Sequence, residues 1–167
     1  MINGRLFRQF RQPLGAGPGN AYKVAMAGQF DEPLAWRDLS APTLEDIEAL
    51  ATDAYRRLPE RFRELCEGLV IRVEDFPEDA VLDFMKAETE FDLLGLFQGV
   101  GLPFQPDRPE SGQMPNMIWL YRRPILDYWA DRDDALGDLV AHVLVHEIGH
   151  HFGLSDDDMA AIEAAAD

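Results

Sequence analysis

Residues 139–156 read LVAHVLVHEIGHHFGLSD, and the placing of polar groups within this apolar run decides how the chain is organised. Leu139, Val140, Val143, Leu144, Val145, Ile148 and Phe152 surround nearly the whole of a helix predicted over 133–152. A helix apolar on most sides is central and buried. His146 and His150 stand at i and i+4 within it, so both imidazoles lie on one face, one turn apart. That spacing lets them share a metal ion. Glu147 lies about 100° round the helix, off the ligand face but within reach of a water held there.

Two histidines leave such a site incomplete, because a catalytic zinc takes three protein ligands and keeps one position open. A straight helix cannot supply the third, since its next turn moves away, so the chain must stop and reverse. Gly153 stands three residues past His150, where a left-handed residue ends a helix without steric cost. The chain then returns to Asp156. The full stretch is H-E-x-x-H-x-x-G-x-x-D, which resembles the extended zinc motif of metzincin peptidases with Asp in place of the usual third His. Asp156 is the expected third ligand. The competing reading makes it a helix-start acid, grouped with Asp157 and Asp158 at the positive end of a last helix over 156–166 capped by Ser155. His142, one turn before His146, is expected in the core or in support, since ligands at i, i+4 and i+8 span too much axis for one ion. His151 points about 140° away from His146 and is a candidate for substrate contact, not for the metal. Gly149 within the helix implies a close neighbour. Met159 is read as core.

Working outward, Thr43 and Asp46 form a capping-box pattern ahead of Leu44, Ile47, Leu50, Ala51, Ala54 and Leu58, a helix that ends before Pro59. Residues 61–67 are a second short helix closed by Gly68. The alternating LVIRVED (69–75) and NMIWLYRR (116–123) are strands, the latter stopped by Pro124. Residues 76–115 are broken by prolines, and DLLGLFQGVGL (92–102) has no assignable state. One long buried helix beside two strands gives an α+β fold, a small twisted sheet packed on a central helix.

The chain has 167 residues, enough for one core. Its formal net charge of −16 disfavours phosphate backbones, so nucleic acid is not an expected partner. The charge is uneven. Residues 1–30 hold Arg5, Arg8, Arg11, Lys23 and no acid; residues 31–167 keep 11 basic against 31 acidic residues, a net of −20. Residues 1–40 therefore read as a basic, Gly/Pro-containing arm, with a transit peptide as the other reading, and 41–167 as the domain. No run of 18 apolar residues crosses a membrane, and the start lacks a secretory apolar core. The lone Cys66 excludes an internal disulfide and fits a reducing, cytoplasmic compartment.

On HEIGHHFGLSDDDM (146–159), YRRPIL (121–126), LLGLFQGVGLP (93–103) and VIRVEDFP (70–77), the chain resembles the small bacterial zincin-like, or minimal, metallopeptidases. The resemblance implies a zincin-like α+β fold, Zn2+ on His146, His150 and Asp156, and Glu147 as the catalytic carboxylate. It implies peptide or protein substrates, hydrolysed as Glu147 takes a proton from water and passes it to the leaving amine. It also implies that strand 116–123 is the edge on which extended substrate pairs. A further oxyanion donor is expected, with Tyr121, Tyr128, Arg122 and His151 as candidates. Three other readings stand beside this one. Peptide deformylase uses an upstream Cys in an E-G-C-L context, where this chain has Cys66-Glu67-Gly68-Leu69. A regulatory module would keep the metal without turnover, although Glu147 then has no use. An adaptor would carry the motif by accident.

Overall fold

The computed structural model describes residues 39–105 and 114–166. The expected arm over 1–40 lies outside them except for Leu39 and Ser40. Chain order begins with a helix whose start is fixed by its own side chains. Thr43 Oγ1 accepts from the Asp46 N–H at 3.2 Å, and Asp46 Oδ2 accepts from the Thr43 N–H at 2.8 Å. Helix α1 (Leu44–Arg57) follows and buries Ile47 and Ala51. Pro59 excludes its continuation. Helix α2 (Glu60–Leu65) comes next, and Gly68, at φ +82°, turns the chain into strand β1 (Val70–Glu74).

The proline-broken middle contains more order than its sequence suggests. It forms helix α3 (Asp79–Met85), a 3₁₀ turn (Glu90–Asp92), strand β2 (Gly95–Gln98) and a second 3₁₀ turn (Leu102–Phe104). Strand β3 (Met117–Tyr121) is shorter than the expected 116–123. Pro124 does not merely stop it: helix α4 (Arg122–Ala130) starts at once, with Pro124 in its first turn, where no N–H is needed. Helix α5 (Leu136–His151) is the central helix, and α6 (Asp156–Ala166) closes the described chain.

The sheet order is β1-β3-β2, with β1 parallel and β2 antiparallel to β3. Ile71 pairs with Ile118 and Val73 with Leu120; Phe97 and Gly95 stand opposite Ile118 and Leu120 from the other side. These residues share one face, which α1 and α5 cover. Ile47, Ile118, Leu120, Ile125, Val140 and Leu144 are fully enclosed there. Each contributes about 1.5–3 kcal/mol by leaving water. A smaller cluster, Met85, Leu93 and Tyr121 with Leu96 and Trp119, covers the other face. The expected α+β architecture is thus observed. One expectation changes: β3 is hydrogen-bonded on both sides, so it is the centre of the sheet and cannot accept a further strand. The edge antiparallel to it is β2.

Helix α5 is apolar almost all round, but Val145 is 48% exposed, so one side stays open. Its end is a glycine-closed reversal. The Leu154 N–H donates to the Gly149 carbonyl (3.0 Å) and the Gly153 N–H to the His150 carbonyl (2.9 Å), with Gly153 at φ +84°. Ser155 then caps α6: its Oγ accepts from the Asp158 N–H (3.2 Å), while Asp158 Oδ2 accepts from the Ser155 N–H (2.9 Å). Helix α6 folds back so that Met159 packs on Gly149. A Cβ at Gly149 would stand 2.3 Å from Met159 Sδ. Helix propensity alone says that Gly149→Ala stabilises by up to about 1 kcal/mol. The flexible Met159 side chain must shift to admit the methyl, and that shift offsets the gain. Gly149→Ala is expected to fall short of the propensity gain in denaturant unfolding, and a variant stabilised by the full amount, about 1 kcal/mol, would disprove the packing of α6 on α5.

Candidate metal centre

The reversal at Gly153 brings Asp156 back to the open face of α5. The His146 and His150 rings stand edge to face with centroids 5.1 Å apart. Asp156 Oδ1 is 3.5 Å from His146 Nε2 and 3.2 Å from His150 Nε2. One ligand atom from each of the three residues lies within 4.8 Å of the others. Asp156 is the first residue of α6, yet the capping is done by Ser155 and Asp158, so its carboxylate is not spent on the helix start.

The donor set fits a small divalent cation. His150 Nδ1–H donates to the Leu154 carbonyl at 3.0 Å, which turns Nε2 toward Asp156 and fixes the tautomer that a ligand needs. Burial, helped by the charges of His150 and His142, pushes the His146 pKa down to about 4. His146 is therefore neutral at physiological pH and offers a lone pair without first losing a proton. Burial raises the Asp156 pKa, opposed by His150 and aided by Asp157. Asp156 Oδ1 is buried with no hydrogen bond among the described residues. A buried carboxylate oxygen facing two imidazole nitrogens is compensated by a cation better than by any of these neighbours.

Glu147 is held apart from this group. It is 3% exposed, the carboxylate accepts the backbone N–H of Phe97, and burial pushes its pKa up to about 8, with Phe97 pulling down and Asp156 pushing up. Space for it comes from Gly95. A Cβ there would lie 2.9 Å from Val143 Cγ1 and 3.1 Å from Glu147 Oε1. Strand β2 and α5 thus clamp the carboxylate from two sides.

The other candidate residues are placed elsewhere. His151 is 2% exposed; its Nε2 is 3.0 Å from the Leu65 carbonyl and its Nδ1 3.1 Å from Asn116 Nδ2. Both ring nitrogens are committed, so His151 presents neither to a substrate. Tyr121 is buried with Met85 and Leu93, and burial, reinforced by Glu147, Glu74 and Glu78, holds its hydroxyl protonated. Arg122 binds Asp75 through Nε (2.7 Å) and Nη2 (2.6 Å) and the Pro42 carbonyl through Nη1 (3.0 Å), a tie between the ends of β1 and α1 rather than an oxyanion donor. Arg132 stacks 4.0 Å from the Tyr128 ring centroid. His142 is half-buried one turn before His146. Cys66 is packed in the main core, outside the His146–His150–Asp156 group, and burial raises its thiol pKa. Sequence reasoning missed Gly95, the Phe97 N–H and Asn116. Only the unplaced apolar stretch 92–102 hinted at the first two.

A helix with two histidines on one face, a reversed carboxylate and a small mixed sheet beside it define the zincin class of metal-dependent peptidases. Residues 66–166 match the family described as zincin-like metallopeptidase, and the chain belongs to that family. No curated protein matches the sequence. The family implies zinc binding and peptide substrates. Among the described residues, no helix is long and apolar enough to cross a membrane.

The burial of Glu147 has a thermodynamic consequence in metal-free protein. Its folded pKa of about 8 stands above the ordinary 4.5, so ionisation opposes folding. The penalty is absent below about pH 4.5, grows as pH rises, and is complete above about 8. With chelator present, Glu147→Gln is therefore expected to melt higher than wild type at pH 8 and nearly level with it at pH 5. An offset independent of pH would show that the carboxylate is not buried as described.

Proposed function

We propose that the protein is a zinc-dependent peptidase in which His146, His150 and Asp156 hold the ion and Glu147 is the catalytic carboxylate. The observation that carries this reading is the pairing of three convergent donors with a buried carboxylate that neighbours them but is no part of the ligand set. A purely structural site has no use for such a group. When bound, zinc would supply Lewis acidity, lowering the pKa of a coordinated water to about 7 and polarising a peptide carbonyl.

The chain's own residues do the rest. Glu147, anchored by the Phe97 N–H, is placed beside the ligand group to accept a proton from water and return it to the departing amine. Gly95 leaves the room that this carboxylate needs. The Leu94 carbonyl faces β3, so by alternation the backbone groups of Gly95 and Phe97 point to the outer side of β2. An extended peptide laid along that edge would run past Glu147, pairing with backbone groups other than the Phe97 N–H, which Glu147 holds. Tyr121, a candidate oxyanion donor, is buried on the far face of the sheet, so the oxyanion donor in this reading is not assigned to it. Peptide or protein substrates suit the net charge of −16, which repels nucleic acid and attracts basic segments. Cytoplasmic residence is part of the same reading, since the lone cysteine is a buried free thiol.

Two measurements test the proposal. Metal analysis of untagged protein should give about one zinc per chain, and His150→Ala should abolish it. Unchanged metal in that variant would remove the ligand assignment. Glu147→Gln should retain zinc while hydrolysis of a peptide that the wild type cuts falls by about a hundredfold or more. Equal rates at equal zinc would favour a metal-bound module without turnover.

A further inference from the structure

Beside the metal centre lies a second set of polar groups, centred on the buried His151, that touches none of the three proposed ligands. The His151 Nε2–H donates to the Leu65 carbonyl at 3.0 Å, so its Nδ1 is an acceptor, and Asn116 Nδ2 donates to it at 3.1 Å. The same amide donates to the Val100 carbonyl at 2.9 Å, and its Oδ1 accepts the Val100 N–H at 3.0 Å. One imidazole and one amide thereby join the last turn of α5, the end of α2, the loop after β2 and the entry to β3. The imidazole is packed against the Phe97 and Phe152 rings, with centroids 5.6 Å away in each case. These hydrogen bonds are part-buried, and the imidazole itself is 2% exposed, so losing one partner leaves the His151 ring nitrogens poorly satisfied.

The position of this set gives it leverage. A helix's last turn lacks onward partners for its carbonyls and frays unless something holds it. The last turn of α5 carries His150 and feeds the reversal to Asp156. The loop after β2 presses on that turn: a Cβ at Gly101 would lie 3.2 Å from the His150 carbonyl oxygen, and one at Gly153 would lie 2.8 Å from Pro103 Cγ. Asn116 binds the same loop at Val100 and the same turn at His151.

We propose that His151 and Asn116 are positioning residues for the metal centre, locking the last turn of α5 to the sheet and so fixing the place of His150 and the return of Asp156. This inference rests on the reading of His146, His150 and Asp156 as ligands. Metal affinity then depends on two side chains that never touch the ion.

The test uses the full chain, stripped of metal and titrated with zinc against a competing chelator, at a temperature where circular dichroism shows each variant folded. His151→Leu removes both ring hydrogen bonds, Asn116→Ala removes the amide, and His151→Gln keeps a donor for the Leu65 carbonyl. Ile125→Val, a change in the core on α4, controls for general loss of stability. Zinc Kd is expected to weaken about tenfold or more in His151→Leu and Asn116→Ala, less in His151→Gln, and to stay at the wild-type value in Ile125→Val. If His151→Leu does not fold, the other two variants decide. Unchanged Kd in the folded variants, or an equal change in Ile125→Val, would overturn the inference while leaving the ligand assignment intact. Wild-type protein that takes up no zinc would overturn the ligand assignment and this inference with it.

Discussion

The left-handed turn at Gly153 is the constraint on which the rest depends. Two histidines on a helix can only ever offer one side of a coordination sphere. The missing donor must come from chain that has turned round, and here the turn takes three residues. Gly153 at φ +84° closes α5, Ser155 opens α6, and Asp156 arrives within 3.5 Å of both imidazoles. A β-carbon at position 153 would face both the strain of the positive φ and Pro103 at 2.8 Å. The same turn exposes the Leu154 carbonyl that orients His150. Backbone geometry, capping and ligand orientation are therefore settled by one residue's freedom.

The electrostatics of the site follow from where the core ends. Helix α5 is buried because its apolar residues pack between α1 and the sheet, and its polar groups are carried into that low dielectric with it. For His146 this is useful, because a depressed pKa keeps the imidazole neutral. For Glu147 burial disfavours the charged form, and the Phe97 N–H offsets only part of the penalty. A fold that sought stability alone would replace Glu147 with an apolar side chain of similar volume. Keeping a carboxylate there is a local conflict with the core, of the kind found where chemistry is done.

Much of this was legible beforehand, for reasons that differ by residue. The buried periodicity of α5, the capping boxes at Thr43 and Ser155 and the glycine at 153 are local signals, so α1, α5, α6 and the convergence of His146, His150 and Asp156 could be expected from spacing. The strands β1 and β3 announced themselves by alternation. Helix α3 and strand β2 did not, being only seven and four residues long and set among glycines and prolines. Their stability comes from partners distant in sequence. Helix α4 was hidden by Pro124, which reads as a stop and is a first-turn residue. The surroundings of His151 were hidden for a related reason. Helical phase gives the direction of a side chain but not what waits there, and its partners Leu65 and Asn116 are 86 and 35 residues away.

The sheet order explains why so short a strand matters. β3 is the scaffold, paired on both sides and filled with Ile118 and Leu120. β2 adds only four residues, yet it is the strand that meets α5 at the carboxylate. Its glycine makes the room, and its next outward-facing residue supplies the N–H that holds Glu147. A longer, side-chain-rich strand would pack better against α5 and would close the space that Glu147 occupies. An interior strand in the same place would spend the Phe97 N–H on a neighbouring strand. An edge strand with a glycine opposite Leu120 is thus what lets one helix carry both a ligand face and a buried carboxylate beside it.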